Sequence, residues 1–187
     1  APGTYAVDIT AAATVPAVTG SGFSGTYADD ATADTLTITD AISGTSGSIT
    51  LANGDTIDTI VTRLNALFAN SRMAIGASKS GNELVLTGTR YGSASTFTVA
   101  FTAGGADGSA QLGIAAQAYA GTDVAGTIGG VAATGSGQVL TAAPPIVGDP
   151  TDGLSVAYTG TATGAVGDIV FTLGVGGMLY NASDVFA

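Results

Sequence analysis

The chain is 187 residues long and carries 14 acidic and 4 basic side chains, for a net charge of −10, with no Cys, His or Trp. That composition excludes disulfides and thiolate metal sites and removes the Cys and His on which most nucleophilic catalysis draws. It also argues against nucleic acid and anionic membranes as partners, since both select basic patches.

The length suits one large domain or two small ones. Charged residues make up 10% of the chain, well below the ~25% of typical globular domains. With 29 Gly and recurrent Thr and Val, the composition is one of strands and turns. No apolar run reaches the ~18 residues of a membrane-spanning helix. The longest, Ile169 to Tyr180, is broken by Gly174, Gly176 and Gly177. Neither an initiator Met nor a signal peptide precedes Ala1, so the chain reads as a processed piece whose export route is not legible.

Tyr5, Val7 and Ile9 alternate as one face of a first strand. Ala11 to Ala33 is rich in small residues and turns. Leu36 and Ile38, then Ile49 and Leu51, predict two short strands. After Asn53-Gly54, Asp55 or Thr56 is placed to cap a helix over about residues 56–69. Ile57, Ile60, Val61, Leu64, Leu67 and Phe68 form its apolar stripe, with Thr59, Thr62, Arg63 and Asn65 on the other face. The stripe reads as core, worth about 1.5–3 kcal/mol per buried side chain before entropy. A meander of strands is expected next, starting at Arg72-Met73-Ala74-Ile75 and continued by Glu83 to Thr87 and Thr96 to Phe101. Its turns are Ser80-Gly81-Asn82 and Tyr91-Gly92-Ser93, and a Gly/Ala loop over 102–113 closes it. Val124 to Leu140 reads as two strands. Leu154, Val156 and Tyr158 then pair with Ile169, Phe171 and Leu173 as a hairpin, and Leu179 to Ala187 begins a helix.

The helix and meander together resemble the flagellin hook IN motif. The residues that carry the likeness are Gly54-Asp55-Thr56-Ile57, the pair Leu64-Asn65 with Leu for the usual Ile, Leu84-Val85-Leu86-Thr87-Gly88, and Gly92-Ser93-Ala94-Ser95-Thr96-Phe97-Thr98. Three further segments resemble the filament cap family (hook-associated protein 2) in its own order: Gly3 to Thr10, Gly121 to Leu140, and Asp152 to Gly160. The long polar helices at both ends of that family are not in this sequence. The chain therefore corresponds to the globular head of a cap protein without its stalk.

The resemblance implies a mainly β, β-rich α+β fold of two small lobes, one with a single helix packed on strands. Residues 1–34 and 119–187 would form a discontinuous β-domain and 35–118 an inserted one. It implies a non-catalytic structural role at the extracellular tip of the bacterial flagellum. There a homo-oligomeric ring of cap subunits would assist flagellin assembly without a cofactor. An adhesin module binding host glycan or mucin is the alternative, and a surface glycosidase using two carboxylates comes third. All four bases, Arg63, Arg72, Lys79 and Arg90, lie in the helix-plus-meander segment, while the rest of the chain is acidic. Without its helical legs the chain is expected to be monomeric or weakly associated. The bases of one copy would meet the acidic lobe of the next.

No catalytic, cofactor-binding or metal site emerges from the residues. Gly20-Ser21-Gly22-Phe23-Ser24-Gly25 matches a dinucleotide loop, but Thr26-Tyr27-Ala28-Asp29-Asp30 does not read as the helix such a site needs, so a plain turn is expected. Asp29, Asp30 and Asp34 lack the offsets of a calcium loop and read as a solvated acidic turn. The other acids are read as solvated surface too. Asn181-Ala182-Ser183 is a formal glycosylation sequon, with a helix cap at Ser183 the competing reading.

Overall fold

A computed structural model of the chain describes residues 2–28, 34–102, 107–142 and 151–172. In chain order the strands begin with β1 (Gly3–Ala11), β2 (Ala17–Thr19), β3 (Asp34–Asp40) and β4 (Thr45–Leu51). Helix α1 (Ile57–Ser71) is next, then β5 (Ile75–Ser80), β6 (Glu83–Gly88), β7 (Thr96–Thr102) and helix α2 (Asp107–Leu112). The last strands are β8 (Ala118–Ala120), β9 (Ala125–Ile128), β10 (Val131–Ser136), β11 (Val139–Ala142), β12 (Ser155–Ala157) and β13 (Gly164–Phe171). The fold is mainly β, as expected, with one substantial helix.

The chain divides into two compact units, Ala1–Ala12 with Asp123–Ala187, and Ala13–Thr122. The sequence reading drew these boundaries after residues 34 and 118. Residues 13–28 fall in the helix-bearing unit because β2 pairs with β6, Ala17 opposite Thr87. Phe23 and Tyr27 are also buried in that unit's core.

Within the helix-bearing unit, α1 starts where its cap requires. The Thr56 side chain accepts from the Thr59 backbone N–H, and Thr56 itself is extended. Ile57, Ile60, Leu64 and Phe68 are buried, with Val61 and Leu67 half-buried beside them. The helix packs against β4 of one sheet and against β5 and β6 of another. The first sheet has the order β4-β3-β7-β8 and the second β2-β6-β5.

The expected meander is therefore split. β5 and β6 form the predicted hairpin, but β7 leaves it to pair with β3, Phe97 opposite Asp40 and Val99 opposite Ile38. Phe97 and Val99 are buried with Leu36 and Ile38, a match of apolar faces that sequence-adjacent pairing with β6 would have lost. Nor is 102–113 all loop, since α2 occupies its second half. Leu112 and Ile114 are buried in the core, and Gly113 ends the helix at φ 61°.

Among its described residues the other unit is one six-stranded sheet, ordered β12-β11-β10-β9-β1-β13. Tyr5, Val7 and Ile9 of β1 are buried with Val124, Ile128 and Leu140. Residues 124–142 form three strands rather than the two expected, because Gly129 and Gly130 (φ 62° and 79°) and then Gly137 (φ 58°) make two reversals. The predicted hairpin between 154–158 and 169–173 does not form. β12 pairs with β11 and β13 pairs with β1, so the two strands lie on opposite edges of the sheet. β13 pairs instead with β1, nine residues long and carrying the buried Tyr5, Val7 and Ile9. Leu173, the 179–187 helix and the Asn181 sequon lie outside the described residues.

Candidate functional site

The IN-like pair performs two separate tasks. Leu64 is fully buried under α1. Asn65, which the sequence placed on the solvent face, donates through Nδ2 to the Ala77 carbonyl at 2.8 Å and accepts the Ala77 N–H on Oδ1 at 2.9 Å. β5 is the edge of its sheet, so these backbone groups face away from β6. Asn65 thus supplies the hydrogen bonds a neighbouring strand would have made, and locks α1 to the sheet edge. Asn is a weak helix former that competes for backbone groups. Its place in mid-helix was the available signal.

The four bases do not act together. Arg63 donates to the Asp55 carboxylate and, at 2.7 Å, to the Thr50 carbonyl. Asp55 also accepts from the Ala52 N–H at 2.8 Å, so the turn before α1 is tied to the helix. Lys79 pairs with Asp58 at 2.7 Å, with both side chains exposed, a pair worth ~0–1 kcal/mol. Only Arg72 and Arg90 remain without an acidic partner among the described ion pairs. The expected four-base contact face shrinks to these two.

The glycine loop is filled from within the chain. Glu83 accepts from the Gly22 N–H at 2.9 Å and from the Phe23 N–H at 3.5 Å. Those are the amides a phosphate would need. A Cβ on Gly20 would stand 2.1 Å from the Leu112 carbonyl oxygen, so Gly20 permits close backbone approach. No helix comes after the loop among the described residues, and Thr26 instead bridges to Thr56.

Two acids read as solvated are buried. Asp34, 2% exposed, accepts from the Tyr27 hydroxyl; Asp29 and Asp30 lie outside the described residues. Asp40, also 2% exposed, accepts from the Ile42 N–H (3.0 Å), the Ser43 hydroxyl (2.8 Å) and the Ala74 N–H (2.9 Å). Burial raises its pKa, but the hydrogen bonds from Ala74, Ser43 and Ile42 outweigh that and hold it below the usual carboxylate value. Asp40 therefore fastens the β3–β4 turn to the segment entering β5. The Asp-x-x-Ser spacing of an Asx turn was its sequence signal.

Among the described residues no group of three or more His, Cys, Asp or Glu is placed to hold a metal ion. An open groove of about 190 Å³ lies in the six-stranded unit, lined by Val7, Val156, Tyr158, Val166, Asp168 and Ile169. Its walls are apolar with a single carboxylate, and no set of polar groups converges there to orient a small ligand.

Similarity to solved structures agrees with the architecture. The chain matches FliD (HAP2) of Pseudomonas aeruginosa PAO1 with a TM-score of 0.59 at 16% identity, over 100% of this chain and 86% of that one. The chain has the fold of FliD. The D2–D3 domains of Escherichia coli FliD match with a TM-score of 0.58 at 14% identity, over 93% and 90% of the two chains. FliD of Bdellovibrio bacteriovorus matches at 0.56 and 15%, over 92% and 94%. Against the D1-D2-D3 structure of E. coli FliD, 98% of this chain covers 55% of that one. No family model and no curated protein sequence matches the chain.

Proposed function

We propose that this chain is the D2–D3 part of a flagellar filament cap, a non-catalytic structural protein at the extracellular tip of the bacterial flagellum. In that setting it forms a homo-oligomeric ring and assists flagellin subunits into the filament. The observation that carries the reading is agreement with FliD D2–D3 domains along almost the whole chain, 92% and 93% of it in two cases. The Leu64-Asn65 clamp supports it independently, because the residues that resemble the IN motif are those that join helix to sheet. Apolar packing and backbone pairing fill the described structure, which suits a steric role.

Deletion of the full gene in the source organism tests the reading. Cells lacking it should secrete flagellin without building filaments, and the intact gene should restore them. Filaments of normal length in the deletion strain would exclude the role.

A further inference from the structure

Arg72 and Arg90 are exposed cations without an acidic partner among the described residues, in a chain of net charge −10. The β5–β6 ladder brings them to one place. Ile75 sits opposite Gly88, and the Thr89 N–H donates to the Ala74 carbonyl at 2.9 Å, so Met73–Arg72 and Arg90–Tyr91 leave the same end of the ladder. Tyr91 stands beside them, 47% exposed.

Arg72 also occupies a costly conformation. It ends α1 at φ 54°, the one non-Gly residue with positive φ among those described. Its N–H bonds the Ala69 carbonyl, and the Met73 N–H bonds the Phe68 carbonyl. Glycine is the residue this helix-ending turn favours. A strained Arg, a second Arg with no ion pair among the described residues and an exposed Tyr thus share one end of the ladder.

A complementary surface lies on the other unit. That unit carries Asp8, Asp123, Asp149, Asp152, Asp168 and Asp184 and no base. Its edge strand β13 exposes Val166, Val170 and Phe171 around Asp168. Exposed edges are usually guarded by Lys or Pro; here the guard is an acid. Pairing of β13 with the same strand of another copy about its midpoint would bring two Asp168 carboxylates close together. The edge thus repels its own kind and favours a basic, aromatic face.

We propose that the Arg72–Arg90–Tyr91 surface of one copy binds the β13 edge of a second copy. Asp168 meets the arginines, and Val170, two residues on and so on the same face of the strand, meets Tyr91. Each copy carries both halves of the contact, so a copy can engage two neighbours. The contact rests on the cap reading for its place in the ring, but self-association is measurable without it. At 0.1 M salt the Debye length is about 10 Å, which screens the net repulsion between copies more than a close Arg–Asp pair.

Sedimentation equilibrium of the 187-residue chain at that ionic strength, up to about millimolar protein, tests it. The chain should self-associate. Arg90→Glu and Asp168→Arg should each weaken association at least about tenfold. The combined Arg72→Glu, Arg90→Glu and Asp168→Arg variant should recover it. Arg72→Gly separates binding from folding, since it should melt higher while associating more weakly. Tyr91→Cys and Val170→Cys copies should cross-link when mixed under oxidising conditions. A wild-type chain that stays monomeric, reversals without effect, no recovery in the combined variant, or no cross-link would each overturn the contact. So would a surface whose arginines bind a sulfated glycan such as heparin while leaving self-association unchanged. If the contact fails while the gene deletion abolishes filaments, the cap reading stands and only this surface is lost.

Discussion

Replacing Asn65 with Ala isolates what the IN-like Asn contributes. Both of its hydrogen bonds to Ala77 disappear, and each is worth about 0.5–1.5 kcal/mol net. Asn65 is exposed and the two bonds are part-buried, so water can enter where the side chain was and the lower half of that range applies. Ala is also the better helix former by up to about 0.7 kcal/mol. The two hydrogen bonds outweigh that gain, leaving the helix-bearing unit about 1 kcal/mol less stable. The sharper readout is local. The Ala77 amide loses its acceptor and should exchange with solvent at least about fivefold faster, a larger change than at amides β5 shares with β6. Asn65→Asp keeps the acceptor and loses the donor, so it should retain most of the protection at Ala77. Amide exchange by NMR reads each residue separately, which a melt of two units does not. An Asn65→Ala chain as stable as the parent or more so, with unchanged exchange at Ala77, would mean that helix propensity governs the position and the clamp contributes nothing.

Leu64→Asp sets an unpaired charge at a fully buried position. It should abolish the protected amides of α1, β5 and β6 at neutral pH, and a parental exchange pattern would refute the assignment of the buried face. Gly20→Ala forces a Cβ to within 2.1 Å of the Leu112 carbonyl oxygen. It should cost about 1–3 kcal/mol in urea unfolding, and no loss would show that the α2 end yields easily. Asp40 has a folded pKa below its ordinary 3.8. Its stabilising effect is therefore complete above the unfolded pKa and is lost as pH falls through the folded one. Asp40→Asn should be less stable than the parent at pH 7, with the gap closing below about pH 4; a gap constant down to pH 2 would refute the linkage.

The elements with strong local periodicity were legible. β1, the β3–β4 pair, α1 and the β5–β6 hairpin each arise from an apolar period of 2 or 3.6 bounded by turn residues. What sequence could not supply was the partner of a strand once two faces competed. β7 looks like the next strand of a meander, yet Phe97 and Val99 find their match on β3, far earlier in the chain. The pattern within β13 predicted a strand correctly, but the choice between β12 and β1 depends on register over seven paired positions that no local signal encodes. Short elements failed for a related reason. α2 is six residues long, too short to show a period, and is held by the burial of Leu112 and Ile114.

Polar residues divide along the same line. Charge counting located the basic segment, but it treated every base as available and every acid as solvated. The structure spends Arg63 and Lys79 inside their own unit and buries Asp34 and Asp40 against hydroxyls and backbone N–H groups. Glu83 and Asn65 likewise act as backbone partners for loops and edges. Such roles depend on two segments meeting in space, so the sequence shows the residue without its task. They also bear on how a fold is shared at 14–18% identity. The periodic apolar positions and the close-approach glycines are constrained by packing. A side chain that only completes a backbone pair can be replaced by another of similar reach. Exposed residues with no such duty, Arg72, Arg90 and Asp168 among them, are left to be set by what the surface must meet.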